Sequence, residues 1–273
     1  MAAVEAAIEQ GVPGILGIHI EGPFLNVDRK GIHDAAKLRT LDEAGFAVVT
    51  GLKAGRTLVT LAPERTTPEM LRRLAVAGVV VAAGHTGGTY REIREALDNG
   101  LTGFTHLFNA MSPLTAREPG AVGAALEDVN SWCGLIVDGR HVDPVTMRLA
   151  LRCRPHNRFM LVSDAMPSVG LANKRFTLQG QEVRVVNGVC VNVDGTLAGA
   201  DLDMASALRN AVSMLDVSLE TAARMASRFP AEFLRRDGEI GRIAAGYRAD
   251  LVLLDDELEV VRCWIAGQAD RSA

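Results

Sequence analysis

Glu21, His85, His106 and Asp164 each stand where a short apolar run gives way to Gly, Pro, Thr or Ala; the runs are 14–20, 79–83, 101–105 and 159–163. One carboxylate and two neutral imidazoles suit a borderline divalent metal and leave positions open for water and substrate. Taken singly, each residue has a plain reading: a histidine at a strand end is usually a hydrogen-bonded polar group, and Glu21-Gly22-Pro23 could be a turn. Taken together they point to metal-assisted hydrolysis. His85 and His106 are separated by one capped helix signal, hence by one strand-helix repeat, which brings both to one rim of a β/α barrel. The C-terminal rim of such a barrel is its catalytic end.

The elements that must position these groups read as follows. Six candidate strands, 14–20, 57–62, 79–83, 101–105, 132–137 and 159–163, are short, rich in Val, Ile and Leu, and too continuously apolar for a half-exposed sheet. Between them lie helix starts at Thr67-Pro68, at Thr89 with Glu92, and at Asp143-Pro144. Alternating strands and helices predict right-handed parallel crossovers and an α/β fold. The alternation stops near Gly170. Period-two patterning over 175–197, broken at Asn187-Gly188 and Asp194-Gly195, predicts antiparallel hairpins. Helical patterns return over 201–234 with an interruption expected at Pro230, and 249–254 and 259–265 read as strands again. The expected organisation is a β/α barrel portion (1–171), a hairpin segment near the site (172–200), C-terminal helices (201–238) and a small β part (239–273).

Composition narrows the class. The 273 residues are 48% hydrophobic, enough for a substantial core, and the net charge of −4 comes without a basic stripe. Nucleic acid is therefore an unfavoured partner. Cys133, Cys153, Cys190 and Cys263 form no Cys-x-x-Cys pair and read as thiols of a reducing compartment. No run is long and apolar enough to span a bilayer, and residues 1–10 lack the form of a signal peptide. A soluble cytoplasmic protein without a membrane partner is the expectation.

Nine segments, in order, resemble the N-acetylglucosamine-6-phosphate deacetylase family of the amidohydrolase superfamily. They are His19 to Asn26, Lys30 to His33, Leu61 to Glu64, Ala83 to Thr86, Thr105 to Met111, Arg117 to Gly120, Asp138 to Val142, Val162 to Ala165 and Gly195 to Gly199. The stretch Gly241 to Val252 resembles the general superfamily ending. The resemblance implies a TIM-type (β/α) barrel with a small β-sandwich part and one divalent metal, commonly zinc, held by Glu21, His85 and His106. It implies Asp164 as general base and acid, and substrate contacts at Ile32, Asn109, Ala110, Arg117, His141, Leu197, Ala198 and Gly199. The implied reaction hydrolyses the acetamide of N-acetyl-D-glucosamine 6-phosphate to glucosamine 6-phosphate and acetate. Arg117 is implied as a phosphate contact that reaches a neighbouring subunit's site, hence a homodimer.

The strand count departs from that pattern. Six strands stand against the eight of a closed barrel, so the chain is expected to lack the first two, together with the His-x-His pair that superfamily members often carry there. A one-metal site and unpaired sheet edges follow from this expectation. His19 and His33 are read as neighbours of the site, His156 as a solvated loop residue, and Glu64 and Asp138 as supports of the rim. The alternatives are action on the galactosamine epimer, another amidohydrolase reaction, or an inactive fragment or scaffold.

Overall fold

The continuously apolar runs form the central sheet. In the computed structural model, which describes residues 1–269, six strands pair in parallel and in sequence order. They are β1 (Gly17–Glu21), β2 (Arg56–Leu61), β3 (Val80–Ala83), β4 (Leu101–Phe104), β5 (Trp132–Ile136) and β6 (Phe159–Val162). The sheet curls as half a barrel, in keeping with the expected TIM-type barrel portion. Register keeps the strand ends level: Glu21 lies opposite Thr60, Leu61 opposite Ala83, and Ala83 opposite Phe104. A ligand carried just past each strand therefore arrives at a common height.

Helices cover the outer face. They are α1 (Ala2–Glu9), α2 (Glu43–Val49), α3 (Pro68–Val76), α4 (Tyr90–Asp98), α5 (Gly120–Glu127), α6 (Pro144–Cys153), α7 (Met204–Leu215), α8 (Leu219–Ala226) and α9 (Arg228–Phe233). The expected caps form: the Thr67 hydroxyl accepts from Met70 N, Asp143 accepts from Val145 N, and Thr89 with Glu92 makes a reciprocal capping box. Each such cap contributes about 1 kcal/mol. Leu71 and Leu74 of α3, Ile93 of α4 and Met147 of α6 are buried against the sheet, with Leu61, Phe104, Leu135 and Phe159 in the same core. Full burial of each large side chain contributes about 1.5–3 kcal/mol.

Pro230 does not interrupt a helix. It is the third residue of α9, and the break falls instead at Ser227, whose φ of −132° and ψ of −70° separate α8 from α9. Proline is tolerated there because first-turn N–H groups have no intrahelical acceptor. The helices α2 and α5 lie outside the sequence expectation.

After β6 the chain forms a four-stranded antiparallel sheet from β7 (Arg175–Leu178), β8 (Gln181–Val186), β9 (Val189–Asn192) and β10 (Leu197–Ala200). Its turn at Asn187-Gly188 has φ of 52° and 83°, as a tight hairpin requires. Val183, Cys190 and Ala198 make a second small core, packed against Ile32 of the loop after β1 and Met166 of the loop after β6. The sheet is tied to the barrel where Ala200 N donates to Asp164 O and Met166 N donates to Ala200 O. The last sheet comprises β11 (Leu251–Leu254), β12 (Val260–Ile265) and β13 (Gln268–Ala269). Residues 270–273 of the expected β part lie outside the described residues. Among those described, no helix is long and apolar enough to cross a membrane.

Candidate metal centre and substrate cavity

Three side chains meet above the ends of β1, β3 and β4. His106 Nε2 lies 3.0 Å from Glu21 Oε1 and 3.1 Å from His85 Nε2, and His85 Nε2 lies 3.2 Å from the same carboxylate oxygen. Both imidazoles are buried. A tetrahedral ion with ligand bonds of roughly 2.0–2.1 Å needs ligand atoms roughly 3.3–3.4 Å apart. The triangle is close to that size, and two imidazole nitrogens facing one carboxylate oxygen are the donor set of a divalent metal. His19 is not part of the cluster; its Nε2 meets the Thr60 hydroxyl at 2.7 Å, which contacts the Thr105 hydroxyl at 2.6 Å. The residues present therefore fit one metal ion.

Local backbone geometry aims these groups. His85, His106 and Asp164 have φ of 50°, 34° and 49°, and Phe108 and Ala110 also lie in the left-handed region. Such conformations cost of order 1–3 kcal/mol each and persist only where surrounding contacts over-determine them. Several contacts do so at His85. Its Nδ1 donates to Arg29 O at 2.7 Å, which leaves Nε2 for the centre, and Asn26 N donates to His85 O at 3.0 Å. Glu64, past the end of β2, accepts from Asn26 Nδ2 at 2.9 Å, Thr86 Oγ1 at 2.6 Å and Gly87 N at 2.7 Å. The rim loops after β1, β2 and β3 are thus joined through one carboxylate.

Electrostatics favour an ionised Glu21. Burial alone would push its carboxyl up, but hydrogen bonds from His106 and His85 outweigh burial and hold it far below the usual carboxylate range. Burial pulls His106 down, and Glu21 overcomes this to raise it. The same lone pairs and charge are what a cation would use.

A cavity of about 430 Å³ opens over the cluster, within the ordinary range for small-molecule sites. Glu21, His85, His106, Asp164, Ile32, Asn109, Ala110, His141, Leu197, Ala198 and Gly199 all line it. Arg117 does not: it is exposed on the loop between β4 and α5. His141, after β5, is fixed by Asp138, whose Oδ2 accepts from the ring Nδ1 at 2.6 Å. His33, read from the sequence as a neighbour of the site, lines it too, with its ring edge-on to His85 at 4.9 Å; Met166, Leu178 and Gln179, which sequence reasoning passed over, also line the wall, as does Thr196. The Lys30-Gly31-Ile32-His33 segment carried a signal for His33, and Gly195 to Gly199 carried one for the last strand of the antiparallel sheet; Leu178 and Gln179 carried none, because only the fold-back of that sheet brings them to the cavity.

The family model for amidohydrolases matches residues 1–269. An N-acetylgalactosamine-6-phosphate deacetylase of Shewanella sp. (strain ANA-3) is 44% identical over 268 residues, covering 97% of this chain and 67% of the relative. The human N-acetylglucosamine-6-phosphate deacetylase is 37% identical over 266 residues, covering 93% of this chain and 64% of the relative. The chain thus spans about two thirds of the length of these curated relatives. The crystal structure of N-acetylglucosamine-6-phosphate deacetylase from Pasteurella multocida superposes with a TM-score of 0.94 at 31% identity, covering 98% of this chain and 71% of that one. A mutant of the Mycobacterium smegmatis enzyme in complex with N-acetyl-D-glucosamine-6-phosphate gives 0.90 at 36% identity, covering 98% and 72%. On the match along its whole described length, the chain belongs to the amidohydrolase family.

Proposed function

We propose that the chain is a metal-dependent deacetylase of a 6-phosphorylated N-acetyl amino sugar, converting N-acetyl-D-glucosamine 6-phosphate to D-glucosamine 6-phosphate and acetate. The observation that carries this reading is the Glu21, His85 and His106 triangle opening into the same cavity as Asp164. Glu21, His85 and His106 would hold the metal, and zinc is favoured by the two imidazoles and one carboxylate. When bound, a divalent ion supplies Lewis acidity that polarises an oxygen and eases the loss of a water proton. Asp164 takes a proton from the attacking water as the new carbon–oxygen bond forms. It returns that proton to the nitrogen as the carbon–nitrogen bond breaks, so that amine and acetate leave. His141 contacts the reacting acetamide or a hydroxyl of the sugar. Ile32, Asn109, Ala110, Leu197, Ala198 and Gly199 shape the remaining wall and seat the sugar.

The 44% identity to the Shewanella N-acetylgalactosamine-6-phosphate deacetylase favours a second reading, the galactosamine epimer. Acetate release from both 6-phosphates by the metal-loaded chain tests both, with the unphosphorylated sugars alongside. Turnover of one epimer at least tenfold above the other chooses between them. Metal binding with no acetate from any of these substrates would leave a non-catalytic fragment and refute the enzyme reading for this chain.

A homodimer is proposed with it, in which Arg117 offers a two-pronged phosphate contact to the neighbouring subunit's cavity; its exposure outside its own cavity supports this. Four free cysteines support a reducing, cytoplasmic setting. In domain terms, 1–171 with 201–238 would form the barrel unit, 172–200 the hairpin segment over the cavity, and 239–273 the small β part.

A further inference from the structure

His141 is the one imidazole lining the cavity that is held by a carboxylate outside the metal cluster. Asp138 stands just past β5 and uses both oxygens. Oδ1 accepts the backbone N–H of Arg140 at 2.8 Å and of His141 at 2.9 Å, while Oδ2 meets the ring Nδ1 at 2.6 Å. The two side chains are only 3% and 6% exposed, His141 and Asp138 respectively, so water does not compete for the contact. From the other side, Asn210 of α7 donates to Val137 O at 2.8 Å and pins the strand end that carries the pair.

The chemistry of the pair fixes its protons. An ionised carboxylate has no proton to give, so the 2.6 Å contact requires Nδ1 to be the donor. Burial pushes the Asp138 carboxyl up, but the His141 ring and the two backbone amides outweigh it and hold the carboxyl below its ordinary value. Asp138 is also not a metal ligand. The candidate ligand cluster among the described residues is Glu21, His85 and His106, and both Asp138 oxygens are already engaged.

We infer that Asp138 is a positioning residue for His141, holding the proton on Nδ1 so that Nε2 is the one ring nitrogen offered to the substrate. When neutral, the ring presents an Nε2 lone pair. When Nε2 takes a second proton, the ring presents an N–H donor whose positive charge the carboxylate balances. For catalysis this rests on the deacetylase reading; the tautomer itself does not.

Asp138→Asn separates the possibilities. The amide has one accepting oxygen in place of two. If that oxygen keeps the two backbone N–H groups, the NH2 faces Nδ1 and forces the proton onto Nε2. Two-dimensional 15N–1H correlation spectra of histidine-labelled chain, with His141 assigned by His141→Asn, should show the Nδ1–H pattern in the parent and a shift toward Nε2–H in Asp138→Asn. In turnover, Asp138→Asn should lower kcat by roughly 100-fold, the low end of what one positioned proton-transfer group contributes, with KM changed less than about threefold. In a His141→Asn background, the added Asp138→Asn should change kcat by less than about twofold, because residues acting as one unit are not additive. An Nε2–H pattern in the parent, an unchanged ring in Asp138→Asn, or an equal kcat loss in both backgrounds would overturn the inference. If no substrate is turned over, the spectra alone decide it, so a failed deacetylase assay does not mask the result.

Discussion

Gly84 lies directly before His85, and replacing it with alanine tests whether the packing beneath the candidate metal centre sets the position of the Glu21, His85 and His106 triangle. A Cβ built on Gly84 would stand 2.6 Å from Thr60 Cγ2 and 3.2 Å from Thr105 Cβ, where ordinary contact begins at 3.4 Å. The wall of β2 is therefore about 0.8 Å too close. Thr60 cannot rotate away freely, because its hydroxyl links His19 to Thr105 at 2.7 and 2.6 Å. The strain falls on the end of β3 and on His85. Overpacking of this kind costs about 1–3 kcal/mol, which lowers Tm by roughly 2–12 °C in a chain of this size. A ligand displaced by even part of that distance leaves the 3.0–3.2 Å triangle, so metal affinity should fall at least about tenfold. Gly78→Ala is the control. At φ of +83° it meets no atom within 4 Å, so alanine there costs about 1–2 kcal/mol of backbone strain, distant from the site. Metal titration by calorimetry, with Tm measured on the metal-free chain, checks the pair. If Gly84→Ala binds metal as tightly as Gly78→Ala at similar loss of stability, packing below the rim does not set ligand geometry.

Other consequences are equally direct. Chelation should lower Tm, and zinc restored at 1,000 times its Kd should return about 4 kcal/mol of stability; a scan indifferent to metal would count against the centre. Glu64→Gln replaces a carboxylate that accepts three hydrogen bonds with an amide that must turn a donor toward Thr86 or Gly87. Metal Kd should rise about 10- to 100-fold, as for other outer partners of metal ligands, and an unchanged Kd would exclude this link. The Asp138 carboxyl is held below its unfolded value, so its contribution to stability is complete above that value and is lost as pH falls through the folded one. Asp138→Asn should therefore be less stable at neutral pH and show a flatter acid limb in denaturant melts, and parallel limbs would contradict the assignment.

The six strands were legible because residues buried on both faces of a parallel sheet are apolar without alternation, as Val80 to Ala83 and Trp132 to Ile136 are. The first boundary was not: the expected run from Gly14, at φ of 84°, becomes a strand only at Gly17, whose own φ is 154°. The helix α2 hides behind Gly45 and two valines. The helix α5 has no side-chain cap and opens with Gly120 after Pro119. Pro230 misled because its position relative to a helix start, rather than its presence, decides its effect. The Glu21, His85 and His106 triangle and Asp164 could be anticipated as residues at strand ends, since the period of the fold sets their height. Their left-handed backbones and the Glu64 bridge depend on loops meeting across the rim, which no local pattern encodes; the Asp138 clasp, by contrast, closes within Asp138 to His141.

The three candidate ligands belong to β1, β3 and β4, all within residues 17–106, and β2 completes an unbroken run of neighbours. Asp164 arrives only two crossovers later, and the wall at Leu197 to Gly199 later still. During synthesis, the three candidate ligands are therefore made before Asp164, and Asp164 before the wall at Leu197 to Gly199. If assembly follows that order, loading and turnover are separable in time: stopped-flow uptake of a divalent ion by the refolding chain should run ahead of the appearance of any activity.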